Sequence, residues 1–298
     1  MQHSVAPAKV NLFLEVTDRR DDGFHNIESV FLEIALADEL SVEKREDGAV
    51  TIECDRPGLP VDSRNLVVAA AELLRRECGI EKGAHFRLRK RIPSGAGLGG
   101  GSSNAAAALE LANALWGTGL SRRELAGLGA RIGSDVPFFL HGGTCLCRGR
   151  GEVIKPLAVF PDSIGICLVL SDIHSDTAAA YRGLRLPGPG EAKSADNFIG
   201  AMSAGDCVGM TAAAFNRFEE TVFAALPELA EIREMLAQTV AVPVRMSGSG
   251  SGLWFFGTPD MASALETDPR WQQLRERHGV VLIETAARRG RDRTEQHQ

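Results

Sequence analysis

The chain has 298 residues, of which 44% are hydrophobic and 24% charged, and a net charge of −6. That length supports one large domain or two ordinary ones, with a core that needs no staples. The acidic balance excludes a nucleic-acid binder held by general phosphate attraction, though it permits a local pocket for a small phosphorylated ligand. No apolar run approaches the roughly 18 residues of a membrane span, and no basic-then-apolar leader opens the sequence, so no membrane partner is expected. The cysteines at 54, 78, 167 and 207 stand apart; only Cys145 and Cys147 are close. The alternation in GGTCLCRG places those two thiols on one face of a strand as small buried residues, with no second pair to complete a zinc site. Scattered thiols fit a reducing compartment, and a cytoplasmic protein is expected.

In chain order, AKVNLFLEV (8–16) alternates and reads as a strand, with Lys9 set in an otherwise apolar run. Asp22-Gly23 marks a turn into a second strand, and ELSVEKREDGAVTIEC (39–54) reads as a hairpin closed at Asp47-Gly48. DSRNLVVAAAELLRREC (62–78) has helical spacing, with Asp62 or Ser63 as cap. AHFRLRKRIP (84–93) is a strand leading into a glycine-rich loop, after which 104–116 is a helix. Ser121 and Glu124 have capping-box spacing for a further helix that stops at Gly133. VPFFLHGGTCLCRGRGEVIKPL (136–157) reads as two short strands, and the local character resets near residues 150–158. The remainder reads as a buried strand at 164–172, a helix start at 175–184 and a helix pair over 211–239. Two strands then flank SGSGSG, followed by a helix within 260–279 and a last strand at 280–287. Two domains are expected, 1–155 and 156–287, with 288–298 as a disordered tail.

The stretch GAGLGGGSSNAAAALELANALW (95–116) asks for a backbone that is bare and then at once helical. Glycines at 95, 97 and 100 match the dinucleotide fingerprint only formally. About five elements precede them, and residues 115–123 hold no acid for a ribose. A Walker A loop is excluded, because no Gly-Lys-Ser/Thr follows. What remains is common to both: glycines let backbone N–H groups face an anion, and a helix start adds its dipole. Ser102, Ser103 and Asn104 are capping residues for that start, and alanines at 105–108 keep the first turn slim. The pattern suits a polyphosphate better than a linker.

Three blocks in order, PAKVNLFLEV (7–16), PSGAGLGGGSSNAAAAL (93–109) and RMSGSGSGLWFF (245–256), resemble the GHMP small-molecule kinases over nearly the whole chain. Finer matches in RRDDGFHNIESVF, GSDVPFFL and SDTAAAY are similar to the branch whose acceptor alcohol is carried on a cytidine-diphosphate-linked erythritol, in isoprenoid precursor biosynthesis. The resemblance implies an α+β fold of two domains, like ribosomal protein S5 domain 2 at the N-terminus and ferredoxin-like at the C-terminus. It also implies ATP and Mg2+ as cofactors. It carries the catalytic pair onto Lys9 and Asp135, with the carboxylate taking the alcohol's proton and the ammonium stabilising the charged state. ATP contacts fall on Pro93, Ser94, Gly95, Ala96, Gly97, Leu98, Gly99, Gly100, Gly101, Ser102, Ser103 and Asn104, with Asn65 beside the adenine. Phe24 and Tyr181 match rings that sandwich the cytosine, His25 the residue on its edge, and Asn11 and Thr177 polar contacts to substrate. The family's usual tyrosine is a phenylalanine at 24, so a ring is kept and a hydroxyl lost. No carboxylate cluster stands out for magnesium, which is expected to rest on phosphates, water and Ser103, with Glu110 pointing elsewhere.

Without the resemblance, Asp135, Phe24 and His25 read as ordinary turn residues, and Asn65 equally well as a helix cap. Rival functions are another kinase of the family, with homoserine or mevalonate as acceptor, and a non-catalytic sensor. Retention of Lys9 with Asp135 weighs against the sensor, and the ring set against a small acyclic acceptor.

Overall fold

Most of the first 54 residues are strand, and residues 6–16 are buried without a break, as in a strand covered on both faces. The computed structural model describes residues 1–288. It opens with β1 (Gln2–Arg19), β2 (His25–Arg45), β3 (Val50–Cys54), α1 (Leu66–Glu77), β4 (Gly83–Arg89), α2 (Gly100–Trp116), α3 (Arg122–Gly129) and α4 (Val136–His141). It continues with β5 (Thr144–Gly149), β6 (Val153–Pro156), β7 (Gly165–Leu170), α5 (Thr177–Gly183), α6 (Asp196–Ser203), α7 (Cys207–Ala213) and β8 (Phe215–Asn216). The last elements are α8 (Glu219–Ala225), α9 (Pro227–Val240), β9 (Arg245–Met246), β10 (Leu253–Gly257), α10 (Pro259–Thr267), α11 (Pro269–His278) and β11 (Val281–Thr285). No described helix is long and apolar enough to cross a membrane.

The chain divides into two compact units, each assembled from segments discontinuous in sequence. The first comprises Met1–Lys9, Leu36–Ser94 and Gly99–Gly142; the second comprises Val10–Ala35, Gly95–Leu98 and the chain from Gly143 onwards. In the first unit β4 pairs antiparallel with β2 and parallel with β3. The hairpin expected at Asp47-Gly48 is therefore a turn without a ladder. Asp47 does organise the reversal, accepting from Ala49 N–H at 3.2 Å, and Gly48 has φ 72°. But β4 enters between the two arms. A Cβ on Gly83 would overlap the Ala49 backbone, and Ala84 N–H donates to Ala49 O at 3.0 Å. Turn chemistry fixes the reversal; the non-local strand takes the pairing.

Helices α1 and α2 pack on each other through small side chains, with Ala70, Ala71, Ala105, Ala108 and Ala112 all fully buried. Helix α1 is capped by Asn65, whose side chain accepts from Val67 N–H at 3.0 Å and donates to Pro60 O at 2.7 Å. The expected caps Asp62 and Ser63 do not serve; Asp62 accepts from the Arg64 guanidinium instead. The capping box at Ser121 and Glu124 is present in full, an arrangement worth about 1 kcal/mol. VPFFLH, expected as strand, is helix α4: Pro137 sits in its first turn, where a missing N–H costs nothing, and Phe138 and Phe139 are buried.

In the second unit β5 pairs antiparallel with β2 and with β6, and β8 runs parallel to β1, with Phe13 beside Phe215. The short β8 interrupts the region expected as a helix pair. Cys145 and Cys147 are both buried on β5 as expected; burial, and then the nearby Glu33 carboxylate, push the Cys145 thiol up to about 12. A buried thiol held protonated fits the reading of both as small core residues. A separate sheet has the order β11-β7-β10-β9, antiparallel throughout. With helices between its first and second strands and between its third and fourth, this is the ferredoxin-like arrangement expected. Arg288 is anchored, its N–H to Glu33 O at 2.8 Å and its Nε to the Glu33 carboxylate at 2.9 Å. The other residues of the segment expected as a tail, 289–298, lie outside the described residues.

Candidate active site

The glycine loop passes directly into a helix of the first unit. Helix α2 starts at Gly100, four residues before the expected start, with Gly99 as N-cap at φ 70° and no side-chain cap. Ser102, Ser103 and Asn104 therefore lie inside the first turn and cap nothing. Left-handed φ at Gly95, Gly97 and Gly99, 70° to 75°, coils the preceding backbone into a shape other residues resist. Gly100 is glycine for space: a Cβ there would lie 2.8 Å from Lys90 Nζ and 3.0 Å from Ile92. Ser103 is 1% exposed and its hydroxyl has no hydrogen-bond partner. An orphaned buried hydroxyl beside free helix N–H groups is what a bound phosphate or a metal-bound water satisfies.

The loop is fixed from below by Asp38, whose side chain is fully buried. Its carboxylate accepts from Lys90 Nζ at 2.5 Å, Arg91 N–H at 2.6 Å, Ile92 N–H at 2.8 Å and Asn104 Nδ2 at 2.8 Å. One side chain thus ties the strand entering the loop to the helix leaving it. Asn104 is committed to this contact. Pro93 and Ser94 continue directly from the anchored segment. Sequence reading missed Asp38; its signal was an acid within an otherwise apolar strand stretch, ALAD, four residues before a buried Val42.

Lys9 is 4% exposed, between Ala8 and Val10, which are wholly buried. A Cβ on Gly99 would meet Lys9 Cγ at 3.1 Å and Phe139 Cζ at 2.8 Å. The helix N-cap, the lysine stem and helix α4 therefore share one small volume. Asp135 heads α4 and makes no side-chain cap bond, so its carboxylate is not spent on the helix. Gly133, just before it, lies beside the Ser102 hydroxyl; a Cβ there would be 3.6 Å away. Glu110 turns toward Arg122, at 3.9 Å, as expected. Among the described residues no group of three or more His, Cys, Asp or Glu gathers as metal donors.

The second unit holds the ring cluster and the second glycine turn. Gly95–Leu98 lies on that turn: Ser251 N–H donates to Gly95 O at 3.2 Å, Gly252 N–H to Ala96 O at 3.1 Å and Ser247 Oγ to Gly97 O at 3.0 Å. Gly97 must be bare, since a Cβ would overlap the Ser247 carbonyl. Asn11 N–H reaches the same Ser247 hydroxyl at 3.3 Å, and its Nδ2 donates to Ser29 Oγ at 2.9 Å. Thr177 Oγ1 lies 2.8 Å from Ser249 Oγ, and Ser175 Oγ donates to Ser249 O at 2.6 Å. Asn216 holds the entering strand, donating to Met246 O at 2.7 Å and Gly248 O at 2.8 Å. Two expected substrate contacts, Asn11 and Thr177, are thus joined to one turn.

His25 and Tyr181 stack directly, with centroids 4.9 Å apart and planes at 28°, and Tyr181 meets Phe218 edge-on at 4.8 Å. Burial, reinforced by the Arg19 charge, holds the His25 imidazole below its ordinary pKa, so it is neutral at pH 7. Phe24 is 50% exposed, and the Arg150 guanidinium carbon lies 4.9 Å from its ring centroid. The expected rings are therefore present, with Tyr181 faced by His25 and Phe24 by Arg150.

The model of the GHMP kinases N terminal domain matches residues 65–143. A 4-diphosphocytidyl-2-C-methyl-D-erythritol kinase of Shouchella clausii is 43% identical over 84% of each chain. One of Pelotomaculum thermopropionicum is 40% identical over 92% of this chain and 94% of its own. A crystal structure of 4-(cytidine 5'-diphospho)-2C-methyl-D-erythritol kinase has TM-score 0.75 at 33% identity, covering 96% of this chain and 99% of its own. Homoserine kinase from Cytophaga hutchinsonii superposes equally well, TM-score 0.75, over 96% of this chain and 95% of its own, but at 16% identity shares only the fold.

Proposed function

The chain belongs to the GHMP kinases, in the 4-diphosphocytidyl-2-C-methyl-D-erythritol kinase branch, and from that premise we propose that it phosphorylates the 2-hydroxyl of 4-diphosphocytidyl-2-C-methyl-D-erythritol with ATP. The observation that carries the reading is the shared packing of Gly99 with Lys9 and with the helix headed by Asp135. It supports Lys9 as the ammonium, since its stem packs against the helix start, and Asp135 as a carboxylate that does not cap its own helix.

In this reading backbone N–H groups of 95–104 hold the β- and γ-phosphates, and Asn65 borders the adenine while capping α1. The acceptor oxygen forms its bond to the γ-phosphorus as the bond from that phosphorus to the bridging oxygen breaks, releasing ADP. Asp135 takes the hydroxyl proton and passes it to solvent. Lys9 keeps that carboxylate ionised and favours the alkoxide-like oxygen. Mg2+ neutralises phosphate charge when bound, and Ser103 is the protein group suited to hold it or its water. The cytidine end is taken by Phe24, His25 and Tyr181, with Asn11 and Thr177 as polar contacts. The domain assignment 1–155 and 156–287, work in the cytoplasm and a place in non-mevalonate isoprenoid precursor synthesis belong to the same reading.

The test is ADP release from Mg-ATP with 4-diphosphocytidyl-2-C-methyl-D-erythritol, homoserine or mevalonate supplied separately. Release with the cytidylyl substrate alone is expected. Release with another acceptor keeps the kinase and discards the substrate; ATP binding without release in any case overturns catalysis.

A further inference from the structure

We infer that Arg150 is a positioning residue that holds the Phe24 ring as a fixed stacking platform for the pyrimidine base of the acceptor, an inference that rests on the function proposed above. A phenylalanine at a turn that keeps half its surface in water is normally a mobile ring. Here every handle is held. Phe24 N–H donates to Asp22 Oδ1 at 3.1 Å, and Arg20 N–H donates to Phe24 O at 2.8 Å. Asp22 in turn takes both oxygens to the Arg20 guanidinium, at 3.0 and 3.2 Å, while Arg20 also reaches Asn26 at 3.1 Å. The backbone is fixed, so the ring's freedom lies in its own two torsions.

Arg150 restricts those. Strand register puts it there: Gly149 of β5 is opposite Ile27 of β2, so the residue after Gly149 falls beside the start of β2, next to Phe24. The turn itself is tied, with Arg150 N–H donating to the Glu152 carboxylate at 2.6 Å and Gly151 N–H to Arg148 O at 3.1 Å. The guanidinium then lies over the ring at 4.9 Å, inside the range of cation–π attraction. A tyrosine in place of Phe24 would have a hydroxyl to anchor; with phenylalanine the ring face is the only handle, and the arginine takes it.

The magnitude follows from the cation–π attraction and the cost of ordering one side chain on binding, about threefold to tenfold in affinity. The experiment measures kcat and both KM values for the unmodified enzyme and for Arg150→Ala, Arg150→Gln and Arg150→Lys, with Phe24→Ala and the Phe24→Ala/Arg150→Ala pair completing a double-mutant cycle. Expected are a KM for the cytidylyl substrate raised about threefold to tenfold in the Ala and Gln variants, recovery in Arg150→Lys, and unchanged KM for ATP and melting temperature. In the Phe24→Ala background, loss of Arg150 should have no further effect. An equal KM change in that background, a lysine variant no better than alanine, or unchanged KM in all three would each overturn the inference. An unmodified enzyme inactive on the cytidylyl substrate would instead remove the function on which it rests.

Discussion

The glycine loop and the ring cluster are built in opposite ways. Around Gly99 the surface proposed for phosphate is backbone, and the side chains beneath it, Asp38, Lys90 and Asn104, are buried and joined through the Asp38 carboxylate. Around Phe24 the working surface is side chain, half exposed, and supported by arginines at the surface. Polyphosphate is the same in every ATP and rewards a rigid, preorganised cradle. A base tolerates small shifts in stacking, so exposed rings suffice. Substitutions in the first region should therefore act on turnover or on folding, and those in the second on substrate affinity.

Asp135→Ala is the strongest way to break that contrast. Turnover should fall about 10²- to 10⁴-fold, the usual contribution of a positioned base, with ATP binding retained in a nucleotide titration. Normal turnover would remove Asp135 as the base. Next is Asp38→Ala, which leaves the Lys90 ammonium buried without its partner and should cost about 3–5 kcal/mol in denaturant unfolding. A loss below about 1 kcal/mol, the scale of a surface pair, would mean that the loop does not depend on this anchor.

Phe24→Ala sharpens the other side. It should raise KM for the cytidylyl substrate roughly tenfold, as loss of one stacked base does, and leave the KM for ATP alone. An unchanged KM would take Phe24 out of the site. The smallest effect is that of pH on His25. Its folded pKa is depressed by burial, so the neutral ring persists as pH falls through the ordinary histidine value of 6.5. Binding that uses neutral His25 should stay flat from pH 8 to 6.5 and weaken only below. The unfolded chain protonates first, so folding stability should begin to decline near 6.5. A KM that rises already above pH 7 would contradict the depressed pKa.

How much of this was legible without the fold differs by region. The glycine loop, Lys9 in its apolar strand and the capping box all carry local signals, because φ, burial pattern and end capping are properties of a few consecutive residues. Asp38 carries only the weak signal of an acid in an apolar run, and Asn216 and Arg150 carry none. Each acts on a segment 30 or more residues away, and a lone polar residue in sequence does not name its partner.

Sequence alone determined where the backbone turns and where it is bare: Gly95, Gly97 and Gly99 adopt the left-handed conformation their lack of a side chain permits. Tertiary structure decided what those turns serve. It pulled β4 between β2 and β3 where local chemistry favoured a hairpin, since a long strand gains more by pairing on both edges than a turn can impose. It began α2 at Gly100, where Lys90 and Ile92 leave no room for a Cβ, and so left the serines inside the first turn instead of capping it. It also chose the face of Phe24 that Arg150 covers, because antiparallel register brings residue 150 to residue 24 across 126 positions of chain.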